Sequence, residues 1–168
     1  MTSIHSLEAS FTNVSIDGSR NNAVSTTELL DAAEALATIF DLLSGWAFAP
    51  VQKDIQGNVQ VLSPSTHWLA RGLEFTHLGL SYNLSNHSQE LSDSFSQAYS
   101  STLKPHHGFM VKPIFSAAMS MCPYRTDFYA KLGGDNDSVK GQLREYLGVL
   151  ERIVAILKEF MGSEEAKW

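Results

Sequence analysis

Lys104-Pro-His-His-Gly-Phe-Met-Val-Lys-Pro-Ile-Phe-Ser-Ala-Ala-Met-Ser-Met-Cys-Pro-Tyr-Arg-Thr-Asp-Phe128 is the stretch against which the rest of the chain is read. Two histidines and a glycine stand at the mouth of a long apolar run. Met110, Ile114, Ala117 and Met121 fall at spacings of four, three and four, and Val111, Phe115, Ala118 and Cys122 form a second row beside them. Two adjacent apolar rows predict a helix buried over much of its circumference. Pro113 should kink it and Pro123 should end it. A greasy helix with a polar entrance suits an amphiphilic ligand, and it equally suits an ordinary core helix.

Working outward, 168 residues are enough for one domain with a real core. A net charge of −6, without a cluster of Lys and Arg, argues against nucleic acid as a partner. The single cysteine, Cys122, cannot form an intramolecular disulfide and fits a reducing compartment, so a cytoplasmic location is expected. Its place on an apolar row reads as packing rather than as a nucleophile. Residues 1–20 lack the apolar core of a signal peptide. No run approaches the roughly 18 apolar residues of a membrane-spanning helix.

Residues 1–24 are polar and aperiodic, which predicts a mobile arm ahead of a single domain over 25–168. A helix should start at Ser25-Thr-Thr-Glu28, a capping box, and run through Leu29, Ala33, Leu36, Ile39, Phe40 and Leu43 to Gly45. Trp46 to Pro50 reads as an apolar turn. The next helix carries Asp54, Gly57 and Asn58, with Asp54 and Asn58 on one face. That spacing alone fits a solvated polar face at least as well as a site.

After a break at Ser63-Pro64, a further helix holds Trp68, Gly72, Phe75, Gly79 and Tyr82 in one row and Leu69, Leu73, Thr76 and Leu80 in the next. Its glycines would admit a close neighbour, and Arg71 and Glu74 could pair on its outside. The following helix, from about Glu90 to Leu103, should bury Leu91, Phe95, Ala98 and Tyr99. A loop at Lys131-Leu-Gly-Gly134 precedes a final helix capped by Ser138. Its seam is Val139, Leu143, Leu147, Leu150, Val154, Leu157 and Met161. With no strand alternation or hairpin signal, the fold class is all-α, with six or so helices.

Enzyme readings find little support. The chain has no Gly-x-Ser-x-Gly, His-Glu-x-x-His or phosphate loop. His106 and His107 are adjacent, so on a helix they would point about 100° apart. No further residues at metal-ligand spacing accompany them, and no metal or cofactor is expected. A His107–Asp54 pair would still need a nucleophile and oxyanion donors.

Four fragments nonetheless stand in a telling order: Asp54-x-x-Gly57-Asn58, Trp68-Leu-Ala-Arg71-Gly72-Leu, His107-Gly108 and Cys122-Pro-Tyr-Arg-Thr-Asp-Phe128. Together they resemble the glycolipid transfer proteins over roughly residues 26–162. From Trp68 to Met161 they look most like the fungal heterokaryon-incompatibility (HET-C-like) branch. The resemblance implies a two-layer helical sandwich that binds glycosphingolipids and moves them between membranes without making or breaking a bond. By position it implies that Asp54 and Asn58 hydrogen-bond the first sugar, that Trp68 stacks on it, and that His107 holds the amide region of the ceramide. Phe40, Phe75, Phe115 and Ala118 would line the hydrocarbon pocket, and Phe109 would touch the membrane.

The residue chemistry suits these roles. A carboxylate and a carboxamide match vicinal hydroxyls, and an indole face suits the C–H side of a pyranose. Trp at position 68, rather than Arg, favours a neutral sugar over a phosphate.

Two features depart from the family pattern. Val61 stands where a cationic residue is usual, and only nine residues separate Asn58 from Trp68. The second amounts to an internal deletion of about one helix. Losing it would uncover apolar surface, so a monomer is expected unless that surface drives dimerisation. The alternatives are a ceramide-1-phosphate-type carrier, a lipid-sensing interaction protein, and an inactive truncated variant.

Overall fold

The computed structural model describes residues 11–20, 22–43, 49 and 65–162 of the chain. A hairpin of β1 (Ile16–Asp17) and β2 (Ala23–Val24) leads into α1 (Thr26–Leu42). Then come α2 (Ser65–Ser85), α3 (Leu91–Ser101), α4 (Val111–Ser120), α5 (Arg125–Leu132) and α6 (Asp137–Gly162). The class is all-α, as expected. The two-residue hairpin is the one element that strand patterning missed, being too short to show alternation. The turn Trp46–Pro50, the segment with Asp54, Gly57 and Asn58, and the break at Ser63-Pro64 lie outside the described residues, apart from Ala49.

The predicted seam of the last helix is what α6 buries. Val139, Leu143, Leu147, Leu150, Val154 and Leu157 are all in the core, and Met161 packs at its edge. Its start differs by two residues from the expected Ser138: the Asn136 carboxamide oxygen accepts the Val139 N–H, which makes Asn136 the cap. The loop before it turns through Gly133 at φ 120° and Gly134 at φ 113°, a region that side chains other than glycine's rarely tolerate.

α2 is the central element and packs against α3 on one side and α6 on the other. Its glycine row does what the spacing suggested. A Cβ on Gly79 would sit 2.6 Å from the Phe95 ring of α3, so only glycine admits this approach. Phe95 also meets Phe75 edge to face at 5.4 Å. The expected Arg71–Glu74 pair does not form. Glu74 instead takes Lys158 of α6 at 2.6 Å, and Arg71 lies over the Trp68 ring.

The far end of α2 is held by a buried polar knot. The Arg125 guanidinium donates to the backbone and side-chain oxygens of Asn83 and covers the Tyr129 ring at 4.4 Å. The Arg125 backbone N–H donates to the Glu90 carboxylate. One arginine thus ties α2, the start of α3 and α5 together, and its burial is tolerated because its donors find acceptors.

Two expectations are corrected at the N-terminal side. Within the stretch read as a mobile arm, Phe11 and Val14 are buried, and Phe11 meets Tyr146 of α6 edge to face at 5.5 Å. The capping box does not close either. Ser25 holds the N-cap position without a side-chain cap bond, while Glu28 accepts the Ser15 N–H at 2.6 Å. That bond holds the Glu28 carboxyl below its usual range and pins the hairpin to α1.

The largest correction concerns α4. Pro113 is its third residue, where a missing N–H is one the first turn leaves unpaired anyway, so it does not act as an interior helix breaker. Only Phe115, Ala118 and Met119 are buried. Met110 at 69 % and Ile114 at 57 % are open to solvent, with Ala117 and Met121 exposed on the same row. Among the described residues, no helix is long and apolar enough to cross a membrane.

The glycine contacts give a paired test. Gly79→Ala should lose about 1–2 kcal/mol, because overpacking costs ~1–3 kcal/mol while the gain in helix propensity is at most ~1. Gly148→Ala, in α6 with nothing within 4 Å of the new Cβ, should gain about 0.5–1 kcal/mol. Urea midpoints of the two variants should move in opposite directions.

Candidate functional site

The site is built from side chains that helical spacing sends to one place. Trp68 lies in the first turn of α2 and Tyr99 in the last turn of α3. A 3-10 turn at Lys104–His106 follows α3 and delivers His107, with extended backbone, toward the interior. Phe115 comes from the buried face of α4.

These four form a continuous aromatic group around the imidazole. Trp68 stacks on His107 with 5.5 Å between ring centres and 22° between planes. Phe115 lies against the other neighbours of that ring, 4.4 Å from His107 and stacked on Tyr99 at 5.4 Å. The Tyr99 hydroxyl is 3.2 Å from His107 Nδ1. His106 stays outside: it is exposed and meets the Trp68 edge at 6.5 Å.

His107 is only 8 % exposed, and its environment disfavours the imidazolium. Burial pushes its pKa below the ordinary value, and the neighbouring His106 and Lys112 push the same way. Burial also holds the Tyr99 phenol up, so it stays protonated. Cys122 packs at the core edge with its thiol pushed up to about 12 by burial, which removes it as a nucleophile. No group of three or more metal-binding side chains exists among the described residues.

Of the expected site residues, Trp68, His107 and Phe115 are brought into direct contact. Ala118 lies on the buried face of α4 with Phe115, and Phe40 and Phe75 belong to the same apolar core. Phe109 stands apart, 85 % exposed beside Met110. Asp54 and Asn58 lie outside the described residues. Spacing missed two members. Tyr99 looked like a core aromatic, and Arg71 looked like an outer ion-pair partner. Arg71 places its guanidinium 5.3 Å from the Trp68 ring centre.

This arrangement, in an all-α sandwich, defines a class. The family model described as "Glycolipid transfer protein (GLTP)" matches residues 61–134. A "Glycolipid transfer protein" of Aureobasidium melanogenum is 42 % identical over 196 aligned residues, covering 99 % of this chain and 96 % of that one. The crystal structure of HET-C2, a fungal glycolipid transfer protein, superposes with a TM-score of 0.92 at 48 % identity, over 97 % of this chain and 100 % of that one. Mouse ceramide-1-phosphate transfer protein shares the fold, with a TM-score of 0.83 at 17 % identity over 98 % of each chain. The chain belongs to the glycolipid transfer protein family, and its likeness to HET-C2 bears out the expected fungal branch. The 196-residue alignment is longer than this chain's 168 residues, so the relative carries positions with no counterpart here.

A folded-state pKa below the ordinary imidazole value means that His107 stays neutral as pH falls through about 6.5 and takes its proton only at lower pH. Removing the like charge in Lys112→Gln should raise the midpoint. Imidazole NMR titration of the parent and this variant checks both statements, and an unmoved midpoint would count against the charge contribution.

Proposed function

We propose that this protein extracts glycosphingolipids from one membrane and delivers them to another, with no bond made or broken. The observation that carries the reading is the Trp68–His107 stack beside an exposed apolar row on α4. The stack offers an aromatic face and an imidazole to a headgroup and its linkage. The row offers a surface that water disfavours and a bilayer accepts.

The energetics make a carrier necessary. At about 0.8 kcal/mol per methylene, a lipid with roughly thirty methylenes leaves a bilayer for water at a cost on the order of 25 kcal/mol. An apolar interior removes most of that cost, and the cluster containing Phe40, Phe75, Phe115 and Ala118 is the candidate lining.

Asp54 and Asn58 would take the sugar hydroxyls, and His107 the ceramide amide region. Trp68 would stack on the ring, with the half-exposed Arg71 as the neighbour that gives way. Phe109, Met110 and Ile114 would meet the membrane. The cell compartment in which this takes place is expected to be the cytoplasm.

Transfer of labelled galactosylceramide between vesicles tests the reading. Trp68→Ala and Asp54→Val should each slow it by about tenfold or more, since losing ~1.4 kcal/mol of headgroup binding is a factor of ten. Parent-like rates in both would discard the site assignment. Stronger competition by a phosphate-headed ceramide than by the sugar-headed lipid would replace it with a ceramide-1-phosphate carrier. Vesicle binding without transfer would replace it with a lipid sensor.

Membrane contact has its own test. Burying a phenyl side chain is worth about 2 kcal/mol, so Phe109→Ala should weaken partition to phosphatidylcholine vesicles roughly 30-fold while leaving the thermal midpoint unchanged. Centrifugation with sucrose-loaded vesicles measures it, and unchanged partition would remove Phe109 from the contact surface.

A further inference from the structure

Tyr99 is not among the residues that the resemblance assigned, yet its hydroxyl holds the one ring nitrogen of His107 with a hydrogen-bond partner among the described residues. The phenol is 3 % exposed, and its ring is fixed by the stack on Phe115. His107 is held between Trp68 and Phe115, so neither ring can turn away without breaking the group.

The bond can run in two directions. Nδ1–H could donate to the Tyr99 oxygen, or the Tyr99 hydroxyl could donate to a bare Nδ1. In the first case the phenol proton needs another acceptor, and the hydroxyl has no other hydrogen-bond partner among the described residues. A buried donor left unmade is costly, whereas an unused phenol lone pair costs little. The second direction satisfies the proton, and a neutral imidazole then carries its hydrogen on Nε2.

We propose that Tyr99 is a positioning residue that fixes His107 as the Nε2–H tautomer, so that His107 meets its ligand as a hydrogen-bond donor. The inference rests on the assignment of His107 to the amide region and adds the residue that sets its proton. Among the described residues, the other charged and titratable groups around the ring are His106 in the same turn, Lys112 on α4 and Arg71 across Trp68 on α2. None of them hydrogen-bonds Nδ1.

The test is long-range nitrogen–proton NMR of the imidazoles in labelled protein, with and without short-chain galactosylceramide. The parent should show His107 as the neutral Nε2–H form, with that proton shifting on lipid addition. Tyr99→Phe keeps the ring and its stack; it should convert a measurable fraction to Nδ1–H and slow transfer several-fold. A parent His107 in the Nδ1–H form overturns the proposal, as does a Tyr99→Phe variant with the parent's tautomer ratio. If Tyr99→Phe fails to fold, the parent's Tyr99 hydroxyl proton decides: scalar coupling from it to His107 Nδ1 across the bond is expected, and its absence overturns the proposal. If the tautomers behave as expected but the parent binds no galactosylceramide, the positioning role stands and the glycolipid reading falls.

Discussion

The close approach of α3 to α2 at Gly79 is the constraint on which the rest depends. Because position 79 has no side chain, the Phe95 ring can lie against the α2 backbone. Phe95 and Tyr99 are four residues apart, hence on the same face of α3. Seating one against α2 therefore brings the other under His107. The turn at Lys104–His106 then has only to reverse the chain for His107 to drop between Trp68 and Phe115. At the other end, Arg125 locks the same two helices to α5 through Asn83 and Glu90. The site is thus mounted on a pair of helices fixed at both ends.

The exposed row on α4 is a cost that an ordinary globular domain avoids. Phe109, Met110, Ile114 and Met121 all lie within thirteen residues of the chain, and among the described residues only Val111, Tyr124 and Phe160 join them as exposed large apolar side chains. Contiguous exposure of this kind marks a surface meant to meet something apolar. Phe109, the first of these side chains, stands two residues after His107, so the exposed row and the aromatic group share one short segment of chain.

The shortened connection before Trp68 bears on how the sandwich closes. Among the described helices, α1 precedes it and α2 follows it, and the apolar faces of both are in the core: Leu36, Ile39, Phe40 and Leu43 on one, Leu69, Leu73 and Phe75 on the other. Among the described residues, the exposed large apolar side chains sit mainly on α4 and its flanks.

By itself the sequence determined the described helices and much of their buried faces. The four-three seam of α6, the row Leu91, Phe95, Ala98 and Tyr99, and the glycine row of α2 all read correctly, because a helix writes its period into local spacing. The four fragments around Asp54, Trp68, His107 and Arg125 pointed to the family. Tertiary structure alone decided what each face meets. Two apolar rows on α4 could not reveal that one lies exposed among the described residues, since apolar spacing records a face but not what covers it. Glu28 chose Ser15 over its own cap, and Glu74 chose Lys158 over Arg71, because partners brought close by packing outcompete partners close in sequence. Tyr99 joined the aromatic group for the same reason: the packing of α3 against Gly79 of α2 brings its hydroxyl to His107.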